Sequence, residues 1–250
     1  MSAILYRLVD TESGEILLAA EDLRDFFVGP DQEPPDTVTF VRVHLIGSAG
    51  RKTEAAELQV VDRQGETIGR YYLGRVAAAF RGTPTVSADD HPDLGYSFFG
   101  YAWEFPEAGE IWRTWAAGGP AEPGEWYRKP SEWHESWLHV VQTAWFDSGK
   151  RATRYGNSGT AVLDGAGITT RYAFYCALGE AVNGPGGYFG SNLDALDDCL
   201  RNTQRENNSA FRLVWRNSSS SRAGLGDGFV DQVVSLFQEH GVEVTGDENG

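Results

Sequence analysis

The stretch that decides the fold of the C-terminal half reads Gly187-Tyr-Phe-Gly-Ser-Asn-Leu-Asp-Ala-Leu-Asp-Asp-Cys-Leu200. At about 100° per residue, its apolar side chains fall on one arc of a helix that starts near Ser191, with Ala195 at the edge of that arc. The apolar arc comprises Leu193, Leu196, Cys199 and Leu200. The opposite arc carries three aspartates, Asp194, Asp197 and Asp198. The spacing predicts an amphipathic helix, and by itself it also fits an acidic face that is merely solvated.

Short strand and helix patterns alternate around this segment. Thr160–Leu163 is an apolar strand that is followed by the turn Asp164–Gly165. Tyr172–Val182 is a helical stretch, and the glycines and proline of Asn183–Gly187 end it. This order predicts an α/β domain with a small parallel sheet of about three strands covered by helices.

The sequence of Tyr188–Leu200 closely resembles the signature of the barstar family, whose members are bacterial intracellular inhibitors of barnase-type ribonucleases. That signature is a pair of aromatics, Gly, any residue, Asn-Leu-Asp-Ala-Leu, any residue, and Asp-Cys-Leu. Ala161–Gly165 and Phe211–Trp215 resemble the first and middle strands of the family, and Val233–Glu239 resembles its last helix. The resemblance covers the chain from roughly Gly159 to Gly246 and includes nothing in Met1–Gly149.

The resemblance implies an inhibitor and not an enzyme. It makes Asp198 the leading inhibitory carboxylate with Asp194 beside it, Tyr188 an aromatic anchor, and Glu239 a supporting acid from the last helix. In this family such groups enter the ribonuclease active site and replace the substrate phosphates. The residues expected to bind the partner are Tyr188, Phe189, Asn192, Asp194, Asp197, Asp198, Asn202 and Glu239.

The chain also departs from the family pattern. Asp197 stands where barstar itself has tryptophan, which removes apolar contact area and adds charge. Arg201-Asn202-Thr203 offers no aromatic residue where barstar has a second tryptophan. We expect neither a cofactor nor a metal.

The charge of the whole chain favours a cationic partner. The formal net charge is −15 and the pI is near 4.7, so nucleic acid and anionic membranes would be repelled at long range. We therefore expect the partner to be a basic secreted ribonuclease or a related nuclease toxin. Met1–Gly14 has no apolar run long enough for a signal peptide or a membrane span, which predicts a cytoplasmic protein. Cys176 and Cys199 are expected to be reduced and buried.

The first half of the chain has the pattern of a β-rich α+β domain. Glu21–Phe27 is a candidate short helix and Gly29–Asp36 is a proline-rich loop. The strand candidates, two pairs of which form hairpins, are Ile4–Val9, Glu15–Ala19, Thr37–Ile46, Glu57–Asp62 and Thr67–Leu73.

A strong helix is predicted after Pro130 and Ser131. Its apolar stripe is expected to be core that packs against the sheet of this first domain. The stripe comprises Trp133, Trp137, Val140, Val141, Ala144 and Trp145. His134 and His139 lack the spacing of a helical zinc pair, so we expect structural roles for them. The predicted organisation is a β-rich domain over 1–149, a polar linker over 150–158 and a barstar-like domain over 159–250.

Two other functions remain open from the residues alone. Asp194, Asp197 and Asp198 have the chemistry of ligands for a hard metal ion, as in a magnesium-dependent enzyme, although no further motif completes such a site. Alternatively, the N-terminal domain is a ligand-binding or protein-binding module and the barstar-like part is an adaptor. For Tyr96–Trp103, an aromatic pocket would fit such a module, but a core strand is the favoured interpretation.

Overall fold

The structure, a computed structural model, describes residues 4–29, 36–46, 52–80, 86, 90–99, 105–207 and 211–246. Backbone contacts divide the chain into two units, Met1–Gly119 and Pro120–Gly250. The first contains a β-barrel and the second a parallel sheet with helices, so the two-domain fold class predicted from sequence is confirmed.

In the described part of the first unit, six strands close into an antiparallel barrel. Each strand hydrogen-bonds to two neighbours in the order β1-β2-β3-β6-β5-β4, so the barrel leaves no free edge. The strands are β1 (Tyr6–Asp10), β2 (Ile16–Arg24), β3 (Val38–Ile46), β4 (Lys52–Val61), β5 (Thr67–Ala78) and β6 (Leu94–Phe98). The five predicted strands are confirmed. The predicted loop at Gly29–Asp36 and the end of Tyr96–Trp103 lie largely outside the described residues.

The helix expected at Glu21–Phe27 was wrong. Strand β2 continues to Arg24 and pairs with β3, with Asp22 opposite Val41. The polar residue that interrupts the strand pattern, Glu21, is buried and accepts hydrogen bonds from side chains of β3. Because β3 supplies partners for this carboxylate, the strand tolerates a charge that sequence reasoning assigned to a helix.

A helix of the first unit, α1 (Ala108–Ala116), packs on the barrel through Trp112. The indole N–H of Trp112 donates to the hydroxyl of Tyr71 at 2.8 Å. Gly69 lies directly under the indole, where a Cβ would come within 2.4 Å of the ring. This tryptophan is therefore part of the core of the first unit.

The second unit contains a parallel sheet of β7 (Thr160–Asp164), β8 (Arg212–Arg216) and β9 (Glu243–Gly246), in that order. Its described helices are α2 (His134–Asp147), α3 (Arg171–Asn183), α4 (Leu193–Asn207), α5 (Ser218–Leu225) and α6 (Asp227–Glu239). Alternate residues of β7 and β8 are buried on one face of the sheet: Ala161, Leu163, Leu213 and Trp215. This is the small α/β domain that the sequence predicted.

Helix α2 belongs to the second unit and contacts α3, which differs from the expectation that it packs on the first domain's sheet. Trp137, Val141 and Trp145 are buried, so the apolar stripe was identified correctly. An apolar stripe shows that a helix face is covered and not which element covers it. As a result, the division between units falls before α2 and not at 150–158.

The segment expected to be a linker at 150–158 is folded onto the second unit. Thr153 and Arg154 are buried. The backbone N–H of Arg154 donates to Thr203 Oγ1 at 3.1 Å, and the amide of Asn183 donates to the carbonyl of Thr153 at 3.1 Å. These bonds satisfy backbone groups that a flexible linker would leave to water.

None of the helices in the described ranges has the length and apolar character needed to cross a membrane.

Candidate functional site

The acidic helix α4 is positioned by the loop that precedes it. The side-chain oxygen of Asn192 accepts from the backbone N–H of Ala195 at 2.8 Å, so Asn192 caps the helix. Gly190 has φ +101, and a Cβ there would lie 3.0 Å from the Leu196 backbone. Glycine is therefore needed where the loop approaches the helix. Asn192, predicted as a partner contact, is exposed and also has this structural role.

The apolar face of α4 lies where the sequence predicted. Leu196, Cys199 and Leu200 are fully buried, whereas Asp194 and Asp198 are exposed and Asp197 is half-buried. Burial raises the pKa of the Cys199 thiol to about 12 and also raises that of Cys176 well above its ordinary value. Both cysteines are free and buried, so both are protonated thiols at neutral pH.

Asp197 is held by two basic side chains. Its Oδ1 lies 2.6 Å from Nε2 of His240, the residue after α6, and its Oδ2 pairs with Arg201 one helical turn later. The hydrogen bond from His240, together with the charge of Arg201, lowers the pKa of Asp197. The carboxylate of Asp197 is thus partly neutralised within the fold.

Asp198 keeps most of its side chain in solvent. Arg201 Nη1 lies 2.8 Å from its Oδ1, and the side chain of Asp198 is 61% exposed. Exposed ion pairs contribute only about 0–1 kcal/mol, so breaking the pair with Arg201 costs little when another cationic group binds Asp198. Asp198 is available to a partner.

The other two predicted acids are also exposed. Within the described ranges, neither Asp194 nor Glu239 forms an ion pair. Glu239 ends α6, and the next residue, His240, is tied to α4 through Asp197 and through Gln204, whose Nε2 donates to the His240 carbonyl at 2.7 Å. These contacts fix the end of α6 against the acidic helix.

The two aromatic residues of the signature do not face solvent. Phe189 is completely buried beside Phe211, with ring centroids 6.3 Å apart, which corrects its prediction as a partner contact. Tyr188 is 3% exposed, and the ring of Phe146, at the end of α2, lies 5.2 Å from it. Burial raises the pKa of Tyr188 to about 12, and the nearby Asp198 carboxylate contributes to the increase.

Asn202 has mainly a positioning role. It is half-buried and donates from Nδ2 to the carbonyl of Ala152 at 3.0 Å. Arg151 also pairs with Glu206 on α4. Residues 151–154 therefore follow the side of the acidic helix, and Asn202 binds this segment in the free protein.

Sequence reasoning missed three residues at this site. Arg201 was detectable, because an arginine four residues after Asp197 is the spacing of a helical ion pair. No local pattern indicates His240 or Phe146, whose contacts with α4 and Tyr188 come from distant parts of the chain.

Within the described ranges, no three His, Cys, Asp or Glu side chains are placed to hold a metal ion. Asp197 and Asp198 are instead bridged by the guanidinium of Arg201.

A pocket of about 480 Å³ lies apart from the acidic helix and is lined in part by residues 123–127 and helix α3. Its wall includes Glu180, which accepts hydrogen bonds from the backbone N–H of Gly124 at 2.8 Å and the indole of Trp126 at 3.0 Å. Burial raises the pKa of Glu180. The lining also includes Asp164 and Tyr127.

Comparison with known proteins gives one match. No curated protein and no solved structure matches the chain. The family model described as Barstar (barnase inhibitor) matches residues 159–249, the C-terminal region that contains α4 and its aspartates. The chain before Gly159 lies outside the match.

Proposed function

We propose that this protein is an inhibitor of a basic microbial ribonuclease and blocks its active site with the carboxylates of α4. The observation that carries the proposal is the exposed carboxylate of Asp198 on the solvent face of the helix within the Barstar region. Asp194 and Glu239 supply further exposed acids, and the formal net charge of −15 favours a cationic target.

The chemistry is that of phosphate replacement. A ribonuclease cleft presents Arg, Lys and His side chains that hold a phosphodiester. A rigid carboxylate satisfies the same donors through charge-assisted hydrogen bonds and offers no bond to cleave. The barnase–barstar pair is itself one of the complexes on which the general values for hot-spot energies and electrostatic steering are based. The binding energies and association rates expected here are therefore carried over from that family and are not independent estimates.

The proposed biology is self-protection in the cytoplasm. A cell that makes or meets a secreted ribonuclease, or a related nuclease toxin, is protected when an acidic inhibitor occupies the active site. Under this proposal the chain has no catalytic role and needs neither cofactor nor metal, so chelators would leave inhibition unchanged.

The test is inhibition of RNA cleavage by barnase and by other basic microbial ribonucleases. The full chain should form a one-to-one complex, and Asp198→Ala should weaken binding by about 3 kcal/mol or more, because it leaves the cationic pocket unpaired. Asp227→Ala is the matched control, since Asp227 is also exposed and paired with an arginine, Arg222. Failure of the full chain to bind any of these ribonucleases would refute the proposal.

An alternative places the function in the barrel unit, with the Barstar region as an adaptor. The barrel lies outside the family match and forms a unit of its own. Its buried Glu21 is bound to Arg42 and His44, and the ring of His44 stacks on that of His91 at 3.9 Å. Equal inhibition by the Asp198→Ala variant and the unaltered chain would favour this alternative.

A further inference from the structure

The aromatic anchor expected at Tyr188 is not accessible in this protein. Its side chain is buried, and the backbone carbonyl of Tyr188 is fixed by the amide of Asn183 at 2.7 Å. A buried ring on a fixed backbone contributes little new contact area to a partner. If the inhibitor uses an aromatic residue beside Asp198, another ring must supply it.

Phe146 meets this requirement. It packs edge-on against Tyr188 at 62° and yet leaves 43% of its own surface in solvent. Tyr188 lies in the loop that leads into α4, and its hydroxyl oxygen is 3.5 Å from Oγ of Ser191, close to the start of that helix. Phe146 is therefore an exposed ring next to the loop that leads into the acidic helix.

We propose that Phe146 is the aromatic residue with which this inhibitor contacts its ribonuclease, at the apolar rim of the cleft that receives Asp198. This inference rests on the proposed function. Phe146 lies before Gly159, so the family match does not include it. Interfaces are enriched in aromatic residues that exclude water around desolvated charges, which is the role that we assign to Phe146.

The position of Phe146 near the acidic helix indicates which partner would contact it. A single exposed phenylalanine is ordinary on a protein surface and carries no meaning by itself. Here the ring covers a residue of the inhibitory signature, and residues 151–154 that follow α2 run along α4 through Asn202. A basic protein that engages Asp198 would therefore meet Phe146 in the same encounter.

The experiment measures association and dissociation rates of the full chain with barnase by stopped flow. Phe146→Ala should raise the dissociation rate about tenfold or more and leave the association rate and its salt dependence unchanged, because an apolar contact acts after the encounter. Tyr127→Ala is the matched control: Tyr127 is 58% exposed in the same unit but packs on Gly167, away from the signature. This control should bind as the unaltered chain does.

The other outcomes overturn the inference in distinguishable ways. If the unaltered chain binds barnase and Phe146→Ala changes the dissociation rate by less than about threefold, the inference fails and the proposed function stands. A lower association rate with an altered salt dependence would mean that Phe146 only positions Asp198 through Tyr188, which also refutes a direct contact. If the unaltered chain binds another basic microbial ribonuclease but not barnase, the rates are measured with that enzyme. If it binds none of these ribonucleases, the inhibitor proposal fails and the inference fails with it. If Phe146→Ala does not fold, Phe146→Leu is used in its place, because leucine keeps an apolar side chain over Tyr188 but removes the aromatic ring.

Discussion

The imidazole of His240 lies 2.6 Å from the carboxylate of Asp197, and this contact joins the end of α6 to the acidic helix α4. Asp197 also pairs with Arg201, so a residue that sequence reasoning placed on the partner-binding face is engaged within the protein. The carboxylate therefore contributes to the stability of the site as well as to its charge.

The contribution of Asp197 should depend on pH in the acid range. Its pKa is lowered from 3.8 in the folded protein, chiefly by the hydrogen bond to His240. Its stabilising effect is therefore fully present above pH 3.8 and is lost as the pH falls through the lowered pKa. Asp197→Asn should cost about 0.5–1 kcal/mol of unfolding free energy at neutral pH and less as the carboxylate becomes protonated.

Urea unfolding at a series of pH values checks this expectation. The curves for the unaltered chain and Asp197→Asn should converge toward acid. A difference that stays constant across the range would show that the carboxylate charge is not what stabilises the fold. Glu239→Gln is the control, because Glu239 lies one residue from His240 and, in the described part of the chain, has no ion-pair partner.

Arg201 should slow the encounter with a cationic target. Its guanidinium bridges Asp197 and Asp198, which offsets negative charge on the acidic face of α4. Arg201→Gln should raise the association rate with barnase about threefold at low salt, because steering follows local charge. The loss of helix ion pairs should cost no more than about 0.5 kcal/mol of stability.

The matched control for this prediction is Arg212→Gln. Arg212 is a similarly exposed arginine that pairs with Glu243 at the sheet and not with α4. Arg212→Gln removes the same charge from the same unit as Arg201→Gln does. Equal acceleration by the two variants would mean that net charge matters and that the bridge to Asp198 does not.

The acidic helix could be predicted because its apolar residues recur at regular helical spacing and its sequence matches a family signature. The helix α2 was also predicted, but its partner was not, because the stripe around Trp137 shows a buried face and not what covers it. The contact of His240 with Asp197 joins residues 43 positions apart, and that of Phe146 with Tyr188 lies between distant elements, so no periodicity encodes either. Strand β2 was shortened in the prediction because Glu21 looks like a surface residue until its partners on β3 are known.

The boundary of the second unit has a consequence for stability. A fragment that starts at Pro120 keeps α2 and the segment 150–158, whereas a fragment that starts at Gly159 loses both. Each buried side chain of α2, such as Trp137 or Trp145, contributes about 1.5–3 kcal/mol by removal from water. The shorter fragment should therefore be less stable by about 5 kcal/mol or more, even though it contains the whole Barstar match.

Denaturant unfolding of the two fragments provides the measurement. The longer fragment should show one cooperative transition, and the shorter one should unfold at much lower denaturant or bind a dye that reports exposed apolar surface. Equal midpoints would mean that α2 is an appendage to the Barstar region and that the boundary predicted at 150–158 describes the folding unit better.

The last prediction concerns the salt dependence of association. Asp194, Asp198 and Glu239 are exposed acids, so the association rate with barnase should exceed the roughly 10⁵–10⁶ M⁻¹s⁻¹ of neutral pairs at low ionic strength. It should fall steeply as salt is added, because the screening length shortens to about 10 Å at 0.1 M. Asp194→Asn should reduce this dependence, since it removes one unpaired charge from the acidic face of α4. Asp227→Asn, at the opposite end of α6 from Glu239, should leave it nearly unchanged. A rate that is the same at low and high salt would mean that the acidic face is a solvated surface with no steering role, which was the other interpretation that the spacing of its aspartates allowed.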